Sequence, residues 1–393
     1  MGPRVLVVCG RLDAQRDGVG EYVVRLTEEL RIQGADPRIL HVGEPTRIRG
    51  ARRVGRTWGP AALLQAARSA RHADVVHVQF APSMYGFRIA IGALPLVLRG
   101  KPLITTLHEY GSWRPEHLLP AALWHRVEAR RLADRETGLL VPRSRAVVAT
   151  NAAHAAAVRD RFVRAPEVEI VPIGANVAVA RDVERAAARR SVRDELGLRA
   201  DTVLAAFFGF VHPVKGVRYL AEAIATLVAQ GTDVHALVIG GFDSLALPGE
   251  EATAFEAELR GQIEDAGATD RIHVTGYRDP DAVTRLLDAA DVGVLPFTHG
   301  VTTKSGSLLT LLAHGLPTVV TSGGDAEPEL ADGDRVAVVS RVRDSEALAT
   351  GLRRVLDDPV LAAGLAERGE AWAATRGWSA IAARHLELYA GVR

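Results

Sequence analysis

The chain has 393 residues, two to three domains' worth at roughly 150 residues each, with 48% hydrophobic and 24% charged residues. That balance belongs to a folded globular protein and excludes a disordered or fibrous chain. Forty-eight basic against 47 acidic residues leave a net charge of +1, so no global field recruits nucleic acid or an anionic membrane, and such binding must be local.

Val5 to Cys9 is a short, β-rich apolar run. Beyond a glycine-containing loop, Val19 to Gln33 carries Val23, Leu26 and Leu30 at helical spacing, with Gly34 as the stop. Arg38 to Val42 completes a β-α-β unit. The segment Thr46 to Thr57 holds Arg47, Arg49, Arg52, Arg53 and Arg56 without an acid. It reads as a solvated loop, with an anionic acceptor or membrane surface as the alternative. Val75 to Val78, Leu103 to Leu107 and Ala146 to Ala149 repeat the strand signal between helical segments, including Pro115 to Asp134. The alternation predicts a parallel sheet covered on both faces.

The pattern restarts after Val171-Pro172-Ile173-Gly174-Ala175-Asn176, the expected linker. Strand candidates Val203 to Phe208, Ala236 to Ile239, Ile272 to Thr275, Val292 to Leu295 and Thr318 to Val320 alternate with helices near 217–229, 251–267, 280–289 and 306–314. The fold class is therefore α/β, with two doubly wound, Rossmann-like parallel-sheet domains facing across a cleft. Their expected bounds are 1–175 and 176–375, and a last helix over 376–393 is expected to pack back on the first domain. Ligands of such sheets bind at the carboxyl ends of strands.

Composition narrows the chemistry. Cys9 is the sole cysteine, which excludes an internal disulfide and a thiolate metal cluster and fits a reducing cytoplasm. The apolar run near Met1 is too short for a signal peptide. The longest apolar stretch, Ile89 to Leu98, contains a proline and falls far short of the roughly 20 residues of a spanning helix; membrane contact is expected to be peripheral at most. Only Lys101, Lys215 and Lys304 are lysine, the other 45 basic residues being arginine. With the many alanines, this usage suits a GC-rich bacterial genome, and it makes each lysine worth weighing.

Four places carry candidate chemistry. Asp17-Gly18-Val19-Gly20 opens a helix after the first strand, where N–H groups and the helix dipole suit an anion. It is only part of a dinucleotide fingerprint, because Val23 stands where a third glycine belongs. In Gly209 to Gly216 a strand ends in a loop with His212 and Lys215 just before a helix, which puts an ammonium where a diphosphate would need one. Gly300-Val301-Thr302-Thr303-Lys304-Ser305-Gly306-Ser307 sets hydroxyls, glycine and lysine at another helix start, an anion cradle without P-loop spacing. His108-Glu109-Tyr110 ends a strand, in position for an acceptor. Asp332-Gly333-Asp334 reads as a turn rather than a metal motif. No H-E-x-x-H or G-x-S-x-G occurs, so neither a metal nor a hydrolase elbow is expected.

The order of these motifs resembles the retaining glycosyltransferases of family 4, with the two-domain GT-B architecture. The resemblance runs through Gly18-Val19-Gly20 to Leu30, Val171 to Ala175, Gly209 to Gly216, Val274-Thr275-Gly276-Tyr277, Ala290 to Pro296 and Ala313 to Val320. It implies transfer from a nucleotide diphosphate sugar, held mainly by the second domain, to a small-molecule or lipid-linked acceptor held mainly by the first. It implies that Lys215 and Lys304 neutralise the diphosphate, that Gly276 and Tyr277 lie near the base, that Gly18 and Gly20 close over the phosphates and that His108 approaches the acceptor or sugar. No cofactor is implied. Two departures stand out. The family's Gly-Arg pair reads Gly209-Phe210, and its two glutamates, eight residues apart, fall on Thr302 and Thr310. A threonine makes a single hydrogen bond where a carboxylate makes a charged, bidentate one. A same-fold isomerase or coupling enzyme using a sugar phosphate or phosphoribosyl donor, and a non-catalytic glycosyltransferase-like partner, remain as alternatives.

Overall fold

The computed structural model describes residues 2–111, 113, 120–177, 185–244, 247, 249–324 and 327–392. It divides into two compact units, Met1–Ile173 with Trp378–Arg393, and Gly174–Gly377.

The first unit begins with β1 (Arg4–Arg11), α1 (Gly18–Ile32), β2 (Asp36–Val42) and β3 (Ala51–Gly55), then α2 (Pro60–Ala70), β4 (Val75–Phe80), α3 (Leu94–Val97) and β5 (Leu103–Leu107). It continues through α4 (Ala121–Ala129), α5 (Leu140–Arg143), β6 (Ala146–Ala149), α6 (Ala152–Arg161) and β7 (Glu167–Ile170). Among the described residues, seven parallel strands lie in the order β3-β2-β1-β4-β5-β6-β7. Every residue from Val5 to Cys9 is buried, as expected of a central strand covered on both faces. Asp17 caps α1, its Oδ2 accepting from the Gly20 N–H at 2.7 Å.

Three expectations need correction. The arginine-rich segment is a loop only in part, because Ala51–Gly55 pairs with β2 through Ile39↔Ala51 and His41↔Arg53, while Arg47, Arg49 and Arg56 lie outside the strand. Arg52 and Arg53 stand exposed on this edge strand, where cations deter further strand pairing. The sheet's other edge, Glu167–Ile170, reads too polar to have been expected as a strand. The helix expected over Pro115 to Asp134 lies partly outside the described residues. Within them it ends at Ala129, since Arg131 takes a left-handed φ of 54° and Asp134 forms a bridge with Gly138.

The second unit comprises α7 (Arg185–Leu196), β8 (Val203–Phe208), α8 (Val217–Ala229), β9 (Val234–Ile239), α9 (Glu250–Asp265), β10 (Ile272–Val274) and α10 (Pro280–Asp288). It closes with β11 (Val292–Leu295), α11 (Gly306–Ala313), β12 (Thr318–Thr321), β13 (Ala337–Val339), α12 (Ser345–Asp357) and α13 (Pro359–Ala374). Six parallel strands among the described residues run β10-β9-β8-β11-β12-β13. Leu308 to Leu312 are all buried, so α11 is a core helix, capped by Ser305 accepting from the Leu308 N–H. The turn at Gly333 has its acids taken by arginines, Asp332 by Arg354 and Asp334 by Arg368.

The last helix, α14 (Trp378–Val392), belongs to the first unit and packs on α1. Trp378 meets the Tyr22 ring edge-on at 5.2 Å, and Gln33 Nε2 donates to the Ser379 carbonyl at 2.8 Å.

Candidate functional site

Strand order reverses between β8 and β11 in the second unit and between β1 and β4 in the first. In open α/β sheets these switch points are where loops part and leave a crevice.

In the second unit the loops after β8 and β11 meet. The turn Pro213–Lys215 follows β8, and the Thr298 N–H from the loop after β11 donates to the Val214 carbonyl at 2.9 Å. Gly216, at φ 71°, follows the lysine, and a Cβ there would lie 2.0 Å from the Pro296 carbonyl oxygen. Only glycine fits so close an approach. Gly209, at φ 133°, lets the end of β8 approach Ser307, whose Oγ would be 2.6 Å from a Cβ.

Lys215 is half-buried with its ammonium 3.7 Å from the centre of the Phe297 ring, a cation–π contact. Burial first, and the charge of Lys304 second, together lower its pKa to about 8. Two cations from neighbouring strand ends thus share one region, and no carboxylate among the described residues pairs with either. Two ammonium groups so placed can together hold an anion.

The remaining residues expected here divide. His212 caps the lysine turn, its Nδ1 accepting from the Val214 N–H at 3.2 Å, and burial and Lys215 lower its pKa. Thr302 is half-buried at the head of the Lys304 turn, its carbonyl accepting from the Ser305 N–H at 3.0 Å. Thr303 N–H donates to Glu327 Oε2 at 2.6 Å. Gly306 and Ser307 form the first turn of α11. Gly276 and the 54% exposed Tyr277 follow β10, Gly276 bridging Gly240 at the end of β9. Thr310 is a correction: it is fully buried and its Oγ1 accepts from the Asn176 N–H at 3.2 Å, so this position serves the interior of the unit. Phe297 and Glu327 escaped the reading of the sequence. Each follows the end of a strand by a few residues, and that was the available signal.

In the first unit, Gly18 and Gly20 form the first turn of α1 above the Asp17 cap. Burial raises the Asp17 carboxyl to about 6 against the Gly20 hydrogen bond, and the charge of Glu109 adds to the rise. The loops that follow β1 and β5 thus bring Asp17 and Glu109 close enough for their charges to interact across β4. His108 is 8% exposed, its Nε2 2.9 Å from Gln79 Oε1 and its ring edge-on to Tyr22 at 4.6 Å. Glu109 accepts from Ser83 Oγ at 3.3 Å. Tyr110, expected beside them as an acceptor contact, is placed otherwise. It is buried, donates to Asp134 at 3.2 Å and lies under the Arg161 guanidinium, which pairs with Asp134 at 2.7 Å and Glu136 at 2.6 Å. That cluster is internal structure.

Among the described residues, no group of three His, Cys, Asp or Glu is arranged to hold a metal ion, and no helix is long and apolar enough to cross a membrane.

Two family models match the chain, one described as Glycosyltransferase Family 4 over residues 16–179 and one as Glycosyl transferases group 1 over residues 202–358. The chain is a glycosyltransferase that joins a Family 4 domain to a group 1 domain. Curated relatives of this glycosyltransferase include a D-inositol 3-phosphate glycosyltransferase from Thermobispora bispora, 28% identical over 323 residues, covering 80% of this chain and 70% of the relative. A 2-deoxystreptamine glucosyltransferase from Streptomyces kanamyceticus is 27% identical over 345 residues, 84% of this chain and 80% of the relative. Among solved structures, Anabaena HepE in complex with UDP superposes with a TM-score of 0.75 at 17% identity, covering 99% of this chain and 100% of that one. A glycosyltransferase from Rickettsia africae also gives 0.75, at 15% identity, covering 100% and 98%. At these identities the structural likeness establishes the fold, which is GT-B. The glycosyltransferase reading is thus carried by the sequence relatives and the family models together.

Proposed function

We propose that this glycosyltransferase moves a sugar from a nucleotide diphosphate donor to an acceptor hydroxyl with retention at the anomeric carbon. The second unit takes the donor and the first takes a small-molecule or lipid-linked acceptor. The observation that carries the donor assignment is the convergence of Lys215 and Lys304 at the switch point without an anionic partner among the described residues. A diphosphate supplies the missing negative charge, and the positive helix start at Ser305 and Gly306 favours it further. HepE, which shares the fold, has been crystallised with UDP and with UDP-glucose.

In the reaction, the bond from the anomeric carbon to the diphosphate oxygen breaks and the acceptor oxygen bonds to that carbon on the same face. The acceptor proton passes to the departing phosphate oxygen. The protein's part is positioning and charge stabilisation. Lys215 and Lys304 hold the growing negative charge, Tyr277 lies beside the base, and Thr302 and Thr303 offer hydroxyl contacts in place of a carboxylate. His108 and Glu109 line the acceptor side. The two cations do for the diphosphate what a divalent ion does elsewhere, so the reaction runs without metal or cofactor in the cytoplasm. The exposed arginines of the β3 region, Arg52 and Arg53 with Arg47, Arg49 and Arg56, provide the contact with any anionic acceptor surface.

Transfer and hydrolysis measured across UDP-, GDP- and ADP-sugars and phosphoribosyl pyrophosphate, each with and without chelator, test this reading. Turnover of a nucleotide sugar that survives chelation supports it. Turnover of phosphoribosyl pyrophosphate alone, or activity restored only by a divalent ion, contradicts it.

A further inference from the structure

The carboxyl end of β5 is tied to the last helix of the chain by a buried line of hydrogen bonds. His108 Nε2 lies 2.9 Å from Gln79 Oε1. Gln79 Nε2 lies 3.0 Å from His77 Nε2, which is also 2.7 Å from Thr106 Oγ1. His77 Nδ1 in turn lies 2.7 Å from the Tyr389 hydroxyl on α14. His77, Gln79, Thr106 and Tyr389 are fully buried.

Donors and acceptors give this line a direction. An amide oxygen only accepts, so His108 donates from Nε2 to Gln79 Oε1. An amide nitrogen only donates, so Gln79 Nε2–H faces the His77 ring, 3.0 Å from Nε2 and 3.4 Å from Nδ1. Burial, reinforced by the charges of His385 and His108, holds the pKa of His77 well below its usual value. The ring is therefore held toward its neutral form, with the Thr106 hydroxyl at one nitrogen and the Tyr389 hydroxyl at the other. The Gln79 carbonyl calls for a proton on His108 Nε2, as partners do behind metal-ligating histidines.

We propose that Gln79 is the positioning residue of His108, fixing a proton on Nε2 and the ring's orientation, with His77 and Tyr389 holding Gln79 in turn. The proposal rests on the reading of His108 as an acceptor-side or sugar contact. Its consequence is that the C-terminal helix, nearly 300 residues away in sequence, sets which ring nitrogen can accept a hydrogen bond at the strand end. Buried lines of this kind are effective only when every member is satisfied.

Gln79→Leu removes both of its hydrogen bonds, whereas Gln79→Glu keeps an acceptor for the His108 proton. Isotope-edited NMR of the histidine rings in the full chain distinguishes the two tautomers without reference to activity. Gln79→Leu is expected to mix the His108 tautomers, and to lower acceptor-dependent turnover roughly ten- to a hundred-fold with UDP affinity unchanged. Gln79→Glu is expected to restore the Nε2–H signal and part of the turnover. In the Gln79→Leu/His108→Ala double variant the loss should not exceed that of His108→Ala alone. Unmoved ring signals in Gln79→Leu with normal turnover, or losses that add in the double variant, would overturn the role of Gln79 alone. Full turnover in His108→Ala would overturn the reading of the acceptor side itself.

Discussion

The two units present the same kind of sheet edge with opposite chemistry. At the carboxyl edge of the first unit, the polar side chains satisfy one another: His108 binds Gln79, and Tyr110 binds Asp134, which binds Arg161. At that of the second unit, two ammonium groups gather with an aromatic ring and no carboxylate partner among the described residues. An edge whose polar groups are already hydrogen-bonded or ion-paired suits an uncharged hydroxyl, and an uncompensated cationic edge suits an anion. The difference teaches that residues of similar type at equivalent strand ends have to be sorted by what the fold already gives them as partners.

The comparison breaks most severely at Arg161. Asp134 and Glu136 have no exposed side-chain surface, and Arg161→Met leaves both carboxylates without their cation. The expected cost is about 3–5 kcal/mol of stability, read by urea denaturation, with UDP affinity unchanged in the folded fraction. A loss of UDP affinity at full stability would mean that this cluster belongs to the donor site.

Lys215→Met sharpens the other side. Turnover is expected to fall roughly a hundred- to a thousand-fold, the scale of a lost preorganised donor to a developing negative charge, while the fold gains from no longer burying an ammonium. Lys304 is exposed, so Lys304→Ala is expected to cost less, about 2 kcal/mol of transition-state stabilisation. It should also raise the pKa of Lys215, because one of the two causes that depress it is gone. Lys304→Ala with turnover and UDP affinity intact would reduce it to a surface residue.

Lys101 is the smallest case. Its ammonium donates to the Ala73 carbonyl at 2.8 Å in the first unit. Lys101→Ala is expected to leave turnover unchanged and to cost about 0.5–1 kcal/mol of stability, measured by thermal unfolding.

Much of this arrangement was legible in the sequence because central parallel strands bury both faces. The runs Val5 to Cys9 and Val292 to Leu295 are continuous without a polar side chain, Leu103 to Leu107 is apolar but for the β-branched Thr105 and Thr106, and all three are strands. The edge strands β3 and β7 carry Arg52, Arg53, Glu167 and Glu169, and a polar edge has no periodic signature to separate it from a loop. The two lysines were legible because arginine fills nearly every other basic position. Tyr110 and Thr310 were misjudged because a place at a strand end or helix start does not say which way a side chain turns. The line from His108 to Tyr389 left no mark at all, since hydrogen bonding across distant segments has neither spacing nor composition to reveal it.

The central claim is that Lys215 and Lys304 receive a nucleoside diphosphate. With a pKa of about 8 in the folded protein, Lys215 is partly neutral just above that pH. Its unfavourable contribution to stability is fully present below about pH 8 and fades as the pH rises toward the usual lysine value of 10.5. A bound diphosphate favours the ammonium and draws the proton back. Calorimetry of UDP binding at about pH 8.5, in buffers of different ionisation enthalpy, reads that proton directly. The account predicts net proton uptake by the native chain, and in Lys215→Met weakened binding without uptake. Equal affinity in the two proteins, with no proton taken up by either, would contradict it.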